Sequence, residues 1–430
     1  MGTTNDPFVA FTEVQKTYDG ETLVVKNLNL TIERGEFLTL LGPSGSGKTT
    51  LLKLVAAAVG SSFLDDFGDE DLHVEYEYTL SAVSVKCEFL REQDATEASG
   101  VADSRAFRSS LFNVEFSFAS GTPPIVAQMR GGNLKFSAPD GLGDKQLNPF
   151  VAEIPSLDLI AIIISSIRQE PKAEVLRETL GREMRLTHRL DEGLDWLRAL
   201  ISDFALIFSD ETDDDWCRPS LRYSGATTAF SEALAVYKGR FAELPEILPI
   251  SSGALSPMAE ACRRIQLRSA SWTLSLLEQS HQKVDTKRYG RSQLYVTTHS
   301  GTRFPLEKLS FGQLRLFAFF LHSAMHPHVI VADELTNGMH HEMVDTCIDT
   351  IGERQAFLAT QNPLLLDHLG FDSADEVQRT FILCDLQDAP GGERWMHWRN
   401  MTAEESHEFF ADYQVGVQHT NDILRKRGLW

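Results

Sequence analysis

The chain has 430 residues, 42% of them hydrophobic and 23% charged, which is enough apolar material for a sizeable core and two or three domains. Its formal net charge of -21 argues against broad, sequence-independent adhesion to nucleic acid or anionic membranes, though not against a local basic patch. The five cysteines form no CxxC pair, which speaks against a zinc site or disulfide framework and for a reducing cytoplasm.

The N-terminal residues show no basic region followed by an apolar run, so no signal peptide is expected. Residues 8–41 read as three strands, FVAFTEVQKTY, TLVVKNLNLTI and EFLTLLG, separated by the turns Asp19-Gly20 and Arg34-Gly35. A helix is predicted from Gly47 onwards. Residues 72–136 read as further strands with Gly- and Asp-rich loops between them, the pattern of an antiparallel sheet. Residues 157–165, apolar on both faces, read as a buried strand. They contain the longest apolar run, 159–164, far short of the roughly 20 residues a helix needs to cross a bilayer. Apolar residues at three- and four-residue spacing then predict helices from Lys172 to about Arg288. The acidic run 210–215 within that stretch reads as a solvated loop. Arg263, Arg264, Arg268, Lys283, Lys287, Arg288 and Arg291 make a locally basic helical stretch, read as a solvated face or a seat for nucleic acid or an acidic partner. From residue 300 helices and strands alternate, as in an α/β fold, and 403–430 reads as a helical tail.

Three short segments carry chemistry. Gly42-Pro43-Ser44-Gly45-Ser46-Gly47-Lys48-Thr49-Thr50 follows a strand, opens a helix and fits GxxxxGK[ST]. Its glycines let backbone N–H groups turn inward around phosphate oxygens, and the helix N-terminus adds partial positive charge. Lys48 is expected to reach the β- and γ-phosphates of a nucleotide, and the Thr49 hydroxyl to ligate magnesium. In His328-Val329-Ile330-Val331-Ala332-Asp333-Glu334 an apolar strand ends in two acids. Asp333 suits the metal, and Glu334 the orientation of an attacking water. Leu309-Ser310-Phe311-Gly312-Gln313 stands at a predicted helix start, with Gln313 20 residues before Asp333. In isolation it reads equally as a helix cap.

Together these segments resemble the ATP-binding cassette superfamily, LSFGQ standing where that superfamily has its LSGGQ signature. The resemblance implies that Ser310, Phe311, Gly312 and Gln313 of one copy close over the γ-phosphate held by the other copy's loop. Residues 1–55 are similar to the cassette subunits of importers, which place an aromatic against adenine where Tyr18 stands; Tyr18 also reads as an ordinary strand residue. Beyond that point the chain departs from transporters. Lys48 and Ser310 are 262 residues apart, an interval longer than a typical domain. Such an insertion is typical of the soluble branch, which includes chromosome-maintenance, break-repair and bacterial anti-phage ATPases. Asp333-Glu334-Leu335-Thr336-Asn337-Gly338-Met339-His340 resembles the D-E-x-x-N-G-x-H run of the defence-type members, and Ala359-Thr360-Gln361-Asn362-Pro363 their T-T-H-S-P switch. Gln361 replaces the usual switch histidine: an amide donates a hydrogen bond to phosphate but carries no charge, so slow hydrolysis is expected. The glutamine that senses magnesium in this superfamily is Gln169 or Gln128, of which Gln169 is preferred. His322, His326, His328, His340 and His341 cluster in sequence, and a metal site there is disfavoured because the ATP motif already accounts for the segment.

The expected fold is an α/β, P-loop ABC-type ATPase core split by an antiparallel β subdomain and a helical insertion. The expected divisions are core at 1–58 and 300–395, β subdomain at 59–150, strand plus helical insertion at 151–299 and helical tail at 396–430. The resemblance implies a cytoplasmic ATPase that takes ATP and Mg2+ and forms an ATP-dependent homodimer. Its partner is expected to be a separate effector such as a nuclease, or DNA, in anti-phage defence or genome maintenance, with no membrane insertion. The alternative is the energy subunit of a membrane transporter.

Overall fold

A computed structural model describes residues 9–17, 23–32, 36–42, 46, 48–59, 72–80, 83–91, 111–118, 124–130, 133–137, 145–146, 176, 189–190, 194, 197–198, 201–202, 204–210, 217–219, 234–251, 253, 255–281, 285–325, 329–388 and 394–430. The chain divides into two compact units. The first comprises Met1–Met184, Gln355–Gln361 and Leu369–Trp430, the second Arg185–Arg354 and Asn362–His368.

In the first unit an eight-stranded antiparallel sheet runs Leu23–Ile32, Val9–Thr17, Leu72–Leu80, Val83–Arg91, Leu111–Phe118, Ile125–Arg130, Asn133–Ser137, Lys145–Gln146. Its strands alternate as a half-buried sheet requires. Val85, Cys87, Val114, Phe116, Ile125 and Ala127 are buried, while Lys86 and Gln128 between them are exposed. A second set of strands is parallel: Phe37–Leu41 lies between Gln355–Ala359 and Phe381–Asp388. Arg394–Asn400 adds antiparallel to the last of these. Leu38, Leu40, Phe357, Leu358, Ile382 and Leu383 are all buried, the two-faced burial of a parallel core. The helix Lys48–Val59 follows the central strand.

The C-terminal part of this unit packs Phe371, Phe381, Phe409 and Tyr413 edge to face, with ring centroids 5.4–5.8 Å apart in their T-shaped pairs. The helix Ala403–Gln414 opens with a capping box: the Glu405 backbone N–H donates to the Thr402 hydroxyl, and the Thr402 N–H donates to the Glu405 carboxylate. Arg399 adds a two-pronged contact to the same carboxylate at 2.7 and 2.8 Å.

In the second unit a sheet runs Cys217–Pro219, Leu206–Ser209, Asp285–Thr297, Ser269–His281, Ile247–Ser251, all antiparallel, with Arg303–Pro305 added to Asp285–Thr297. Helical structure expected from 172 to 288 is present at Ser256–Arg264 but replaced by strands at Leu206–Ser209, Cys217–Pro219, Ile247–Ser251, Ser269–His281 and from Asp285 onward. The physical reason is a period of two: Ala270, Trp272 and Leu274 are buried and alternate with Ser269, Ser271 and Thr273. Aromatic and hydroxylated residues in such alternation fit a pleated surface better than a helix. The basic stretch is divided accordingly. Arg263 and Arg264 end the helix Ser256–Arg264 and both pair with Glu260. Lys287 is buried on a strand, donating to the carbonyls of Phe241 and Leu244 at 3.1 and 3.4 Å, and Arg288 faces Glu278 across the hairpin. A short parallel pair, Arg189–Leu190 with Val329–Asp333, and the helices Phe311–Met325, His341–Ile351 and Pro363–Asp367 complete the unit's described residues used below.

Thr402→Ala, which removes the cap, is expected to lower stability by about 1 kcal/mol. The Arg399 guanidinium, acting first through its hydrogen bonds, holds the Glu405 carboxyl below its ordinary value of 4.5. Its contribution is therefore complete above that value and lost as pH falls through the lower folded-state pKa. Melting curves from pH 7 to 3 should show a shallower acid limb for Glu405→Gln than for the parent chain.

Candidate nucleotide site

The first unit builds the phosphate loop's anchorage. Parallel register pairs Leu40 with Ala359 and Leu41 with Leu383, so Gly42 and Gln361 lie just beyond the C-terminal ends of adjacent strands, and Cys384 stands level with Gly42 within Phe381–Asp388. That is where open α/β sheets bind ligands. Gly42 is buried, and a Cβ there would lie 2.7 Å from Ser46 Oγ and 2.8 Å from Cys384 Cβ, so a side chain cannot be accommodated without displacing the loop. Lys48 is buried at the first position of its helix and donates from Nζ to the Gly42 carbonyl at 2.6 Å. Thr49, next along, is exposed. Ser46 is 1% exposed, and its hydroxyl has no hydrogen-bond partner among the described residues. A buried hydroxyl left without a partner is costly, and a phosphate oxygen would satisfy it. The set Ser46, Lys48 and the helix N-terminus therefore fits a phosphate group. Gln361 is exposed beside Asn362, whose side chain caps the following helix by accepting from the Leu364 N–H.

The second unit holds the other two motifs. Val329–Asp333 is buried throughout and delivers Asp333 and Glu334, each 6% exposed, to its C-terminal end. Glu334 has φ +51°, a left-handed conformation that costs a non-glycine residue on the order of 1–3 kcal/mol. The tight turn that follows is closed by Asn337 N–H to the Glu334 carbonyl and Met339 N–H to the Thr336 carbonyl, both 3.1 Å.

Ser310 and Gln313 form a reciprocal cap at the start of Phe311–Met325. The Gln313 N–H donates to the Ser310 hydroxyl at 3.3 Å, and the Ser310 N–H donates to the Gln313 side-chain oxygen at 3.2 Å. The cap reading and the signature reading are thus compatible in the same residues. Gly312 has no room for a Cβ, which would collide with the Gly338 carbonyl. A Cβ on Gly338, at φ +75°, would lie 2.8 Å from the Phe311 ring. The helix start and the turn after Glu334 consequently pack backbone to backbone. Phe311 is itself half exposed.

Tyr18, Ser44, Gly45, Gly47 and Gln169, together with the strand expected at 157–165, lie outside the described residues. Thr50 lies in the helix Lys48–Val59. Gln128 is exposed within the eight-stranded sheet, where it donates to Asn113 at 2.8 Å and Asn113 donates to Glu88 at 2.7 Å. This cross-strand polar ladder is a structural use for Gln128. His322 is buried in its helix. His341 is exposed and lies 2.9 Å from His368, which also contacts Asp345.

Two neighbours of the site escaped the sequence reading. Cys384 becomes visible only once strand register sets it beside Gly42. Arg315, fully buried, donates to the Glu334 carbonyl; the available signal was a lone charge in an otherwise apolar helix.

The strand order defines an α/β protein. The family described as ABC transporter matches residues 25–65. It is 44% identical over 77 residues to the spermidine/putrescine import ATP-binding protein PotA of Pasteurella multocida, a match covering 17% of this chain and 20% of that protein. The corresponding protein of Salmonella typhimurium is 56% identical over 50 residues, 12% of this chain and 13% of its own. The chain thus spans a fifth or less of the length of these curated relatives. Among solved structures, the SMC head domain from Thermotoga maritima is 8% identical, with a TM-score of 0.32 and coverage of 92% of this chain and 98% of that one.

The cysteines offer a chemical readout of the site. Burial pushes the Cys217 thiol up to about 12 and the Cys262 thiol to about 11, and raises Cys347 further. Cys87 is also buried, whereas Cys384 is half-buried with its Sγ 4.0 Å from the Ser46 carbonyl. Thiolate character and access govern alkylation. Iodoacetamide, followed by peptide mass spectrometry, should modify Cys384 first, and MgATP should slow that modification. Equal Cys384 rates with and without nucleotide would contradict this placement of the loop.

Proposed function

We propose that the chain is an ABC-type ATPase that binds ATP with Mg2+, closes two copies around two nucleotides and hydrolyses slowly. In this reading it is a switch that controls a partner effector or acts at DNA, in anti-phage defence or genome maintenance. The observation that carries the nucleotide reading is the buried Ser46 hydroxyl, which has no hydrogen-bond partner among the described residues and packs against Gly42, the residue whose carbonyl accepts from Lys48. Lys48 exchanges its bond to the Gly42 carbonyl for phosphate oxygens, stabilising charge that develops on the transferred group. Thr49 and Asp333 supply hard oxygen ligands suited to Mg2+, which when bound neutralises phosphate charge. Glu334 orients the attacking water, and Gln361 donates a neutral hydrogen bond towards the γ-phosphate. Ser310 and the Gly312 backbone, at a helix start, offer donors to the γ-phosphate held by a second copy. Each copy alone carries half of each composite site, which favours a two-fold dimer.

The match of residues 25–65 to import ATP-binding proteins supports a second reading, the energy subunit of a transporter. Among the described residues no helix is long and apolar enough to cross a membrane, so on that reading a separate chain supplies the pore. Glu334→Gln with ATP and Mg2+ should trap a stable dimer, seen by light scattering. A native pull-down of that variant should recover a soluble effector or DNA; recovery of a polytopic membrane protein would favour transport instead.

Gln361→His restores a side chain able to carry charge. Turnover is expected to rise about tenfold, equivalent to about 1.4 kcal/mol of transition-state stabilisation. An unchanged steady-state rate would overturn the idea that Gln361 slows hydrolysis.

A further inference from the structure

The helix Phe311–Met325 is apolar along its buried length except for Arg315, His322 and Ser323, and Arg315 is 0% exposed. A guanidinium that surrenders its hydration entirely needs a specific recipient. One of its donors, Nη1, goes to the backbone carbonyl of Glu334. Its plane also lies 5.0 Å from the centroid of Phe311, the half-exposed residue at the helix start.

The recipient matters because Glu334 sits at φ +51°, a conformation few non-glycine residues hold without support. Its carbonyl has two lone pairs, and both have donors: the Asn337 N–H at 3.1 Å from within the turn, and Arg315 from the neighbouring helix. The turn bond alone closes the loop locally. The Arg315 bond refers the peptide plane, and hence the direction in which the Glu334 carboxylate leaves the backbone, to the helix that begins with Ser310–Gln313. The backbone contact of Gly312 with Gly338 and the Phe311 ring against Gly338 tie the far end of the turn to the same helix start.

We infer that Arg315 is a positioning residue for Glu334, making the aim of that carboxylate depend on the seating of the LSFGQ segment of the same chain. This rests on the proposed role of Glu334 in orienting water. A shift of Ser310–Gln313 towards a phosphate moves the Arg315 donor and the turn with it, so hydrolytic geometry follows closure rather than nucleotide binding alone. Arg315, fully buried, acts through Glu334.

The test is a double-mutant cycle on the full chain, measuring ATP hydrolysis, its KM and nucleotide affinity for Arg315→Met, Arg315→Lys, Glu334→Gln and Arg315→Met combined with Glu334→Gln. Arg315→Met should lower kcat about tenfold or more with KM and affinity nearly unchanged, and Arg315→Lys, which keeps one charged donor, should recover part of the loss. In the Glu334→Gln background, Arg315→Met should change the residual single-turnover rate by less than about twofold, because the group it positions is gone. Equal factors in both backgrounds, or kcat and affinity falling together, would show a merely structural role and overturn the inference. Should Arg315→Met lose its cooperative melting transition, Arg315→Lys carries the test with the same expected pattern of reduced kcat at constant affinity. If Glu334→Gln leaves kcat unchanged, the reading of Glu334 fails, and the inference with it. If Glu334→Gln abolishes hydrolysis while Arg315→Met does not, only the inference fails.

Discussion

Backbone amides grip phosphate only where the chain turns so tightly that no side chain intervenes, and that constraint organises what is seen here. At Gly42 the space a Cβ would need is taken by Ser46 and Cys384. At Gly312 it is taken by the Gly338 carbonyl. Among the described residues, each compact unit thus contains a glycine whose missing side chain leaves room for a close neighbour, and each of the two adjoins charge-handling side chains. Lys48 follows the first, and Glu334 and Arg315 flank the second. Close approach comes first physically, because amide donors and buried charges act over a few ångströms and are worth most when water is excluded.

The charges illustrate how burial selects roles. The chain is acidic overall, yet the cations that matter to its architecture are internal: Lys48 on Gly42, Lys287 on the Phe241 and Leu244 carbonyls, Arg315 on the Glu334 carbonyl. Each serves a backbone oxygen at a turn or strand end. Arg263 and Arg264, paired with Glu260 at the surface, contribute little by comparison. A basic run in the sequence therefore resolves into side chains of different kinds once its members are divided between a helix and a hairpin.

The motifs were legible because each is a local instruction. A strand ending in GxxxxGK[ST], an apolar strand ending in Asp-Glu and a Ser-x-x-Gln helix start place their residues through nearest-neighbour geometry. The corresponding strand Phe37–Leu41, helix Lys48–Val59, strand Val329–Asp333 and helix Phe311–Met325 are all present. Antiparallel pairing from 72 to 137 was legible for the same reason, a period of two between turn residues. The helices expected over 172–288 are met at Ser256–Arg264 but not at Leu206–Ser209, Ile247–Ser251 or Ser269–His281. Spacings of three and four coexist there with spacings of two, and burial of Phe208 against Tyr289 and of Trp272 against Phe204 selects the pleated alternative. A short amphipathic window does not decide between those periods without knowing which face meets a core.

By itself, the amino-acid sequence determined the chemistry on offer: a phosphate loop, a pair of acids, a capped glycine-bearing helix start and an amide where a histidine is usual. The tertiary structure decided which groups serve those residues. Parallel register set Cys384 level with Gly42 and Gln361 just beyond the end of the neighbouring strand, and packing of two glycines set Arg315 on the carbonyl of Glu334. Such partners are separated by 19 to several hundred residues, and no local pattern encodes them. They arise from the requirement that every polar group carried into a close-packed interior find a partner there, a condition on the folded chain as a whole.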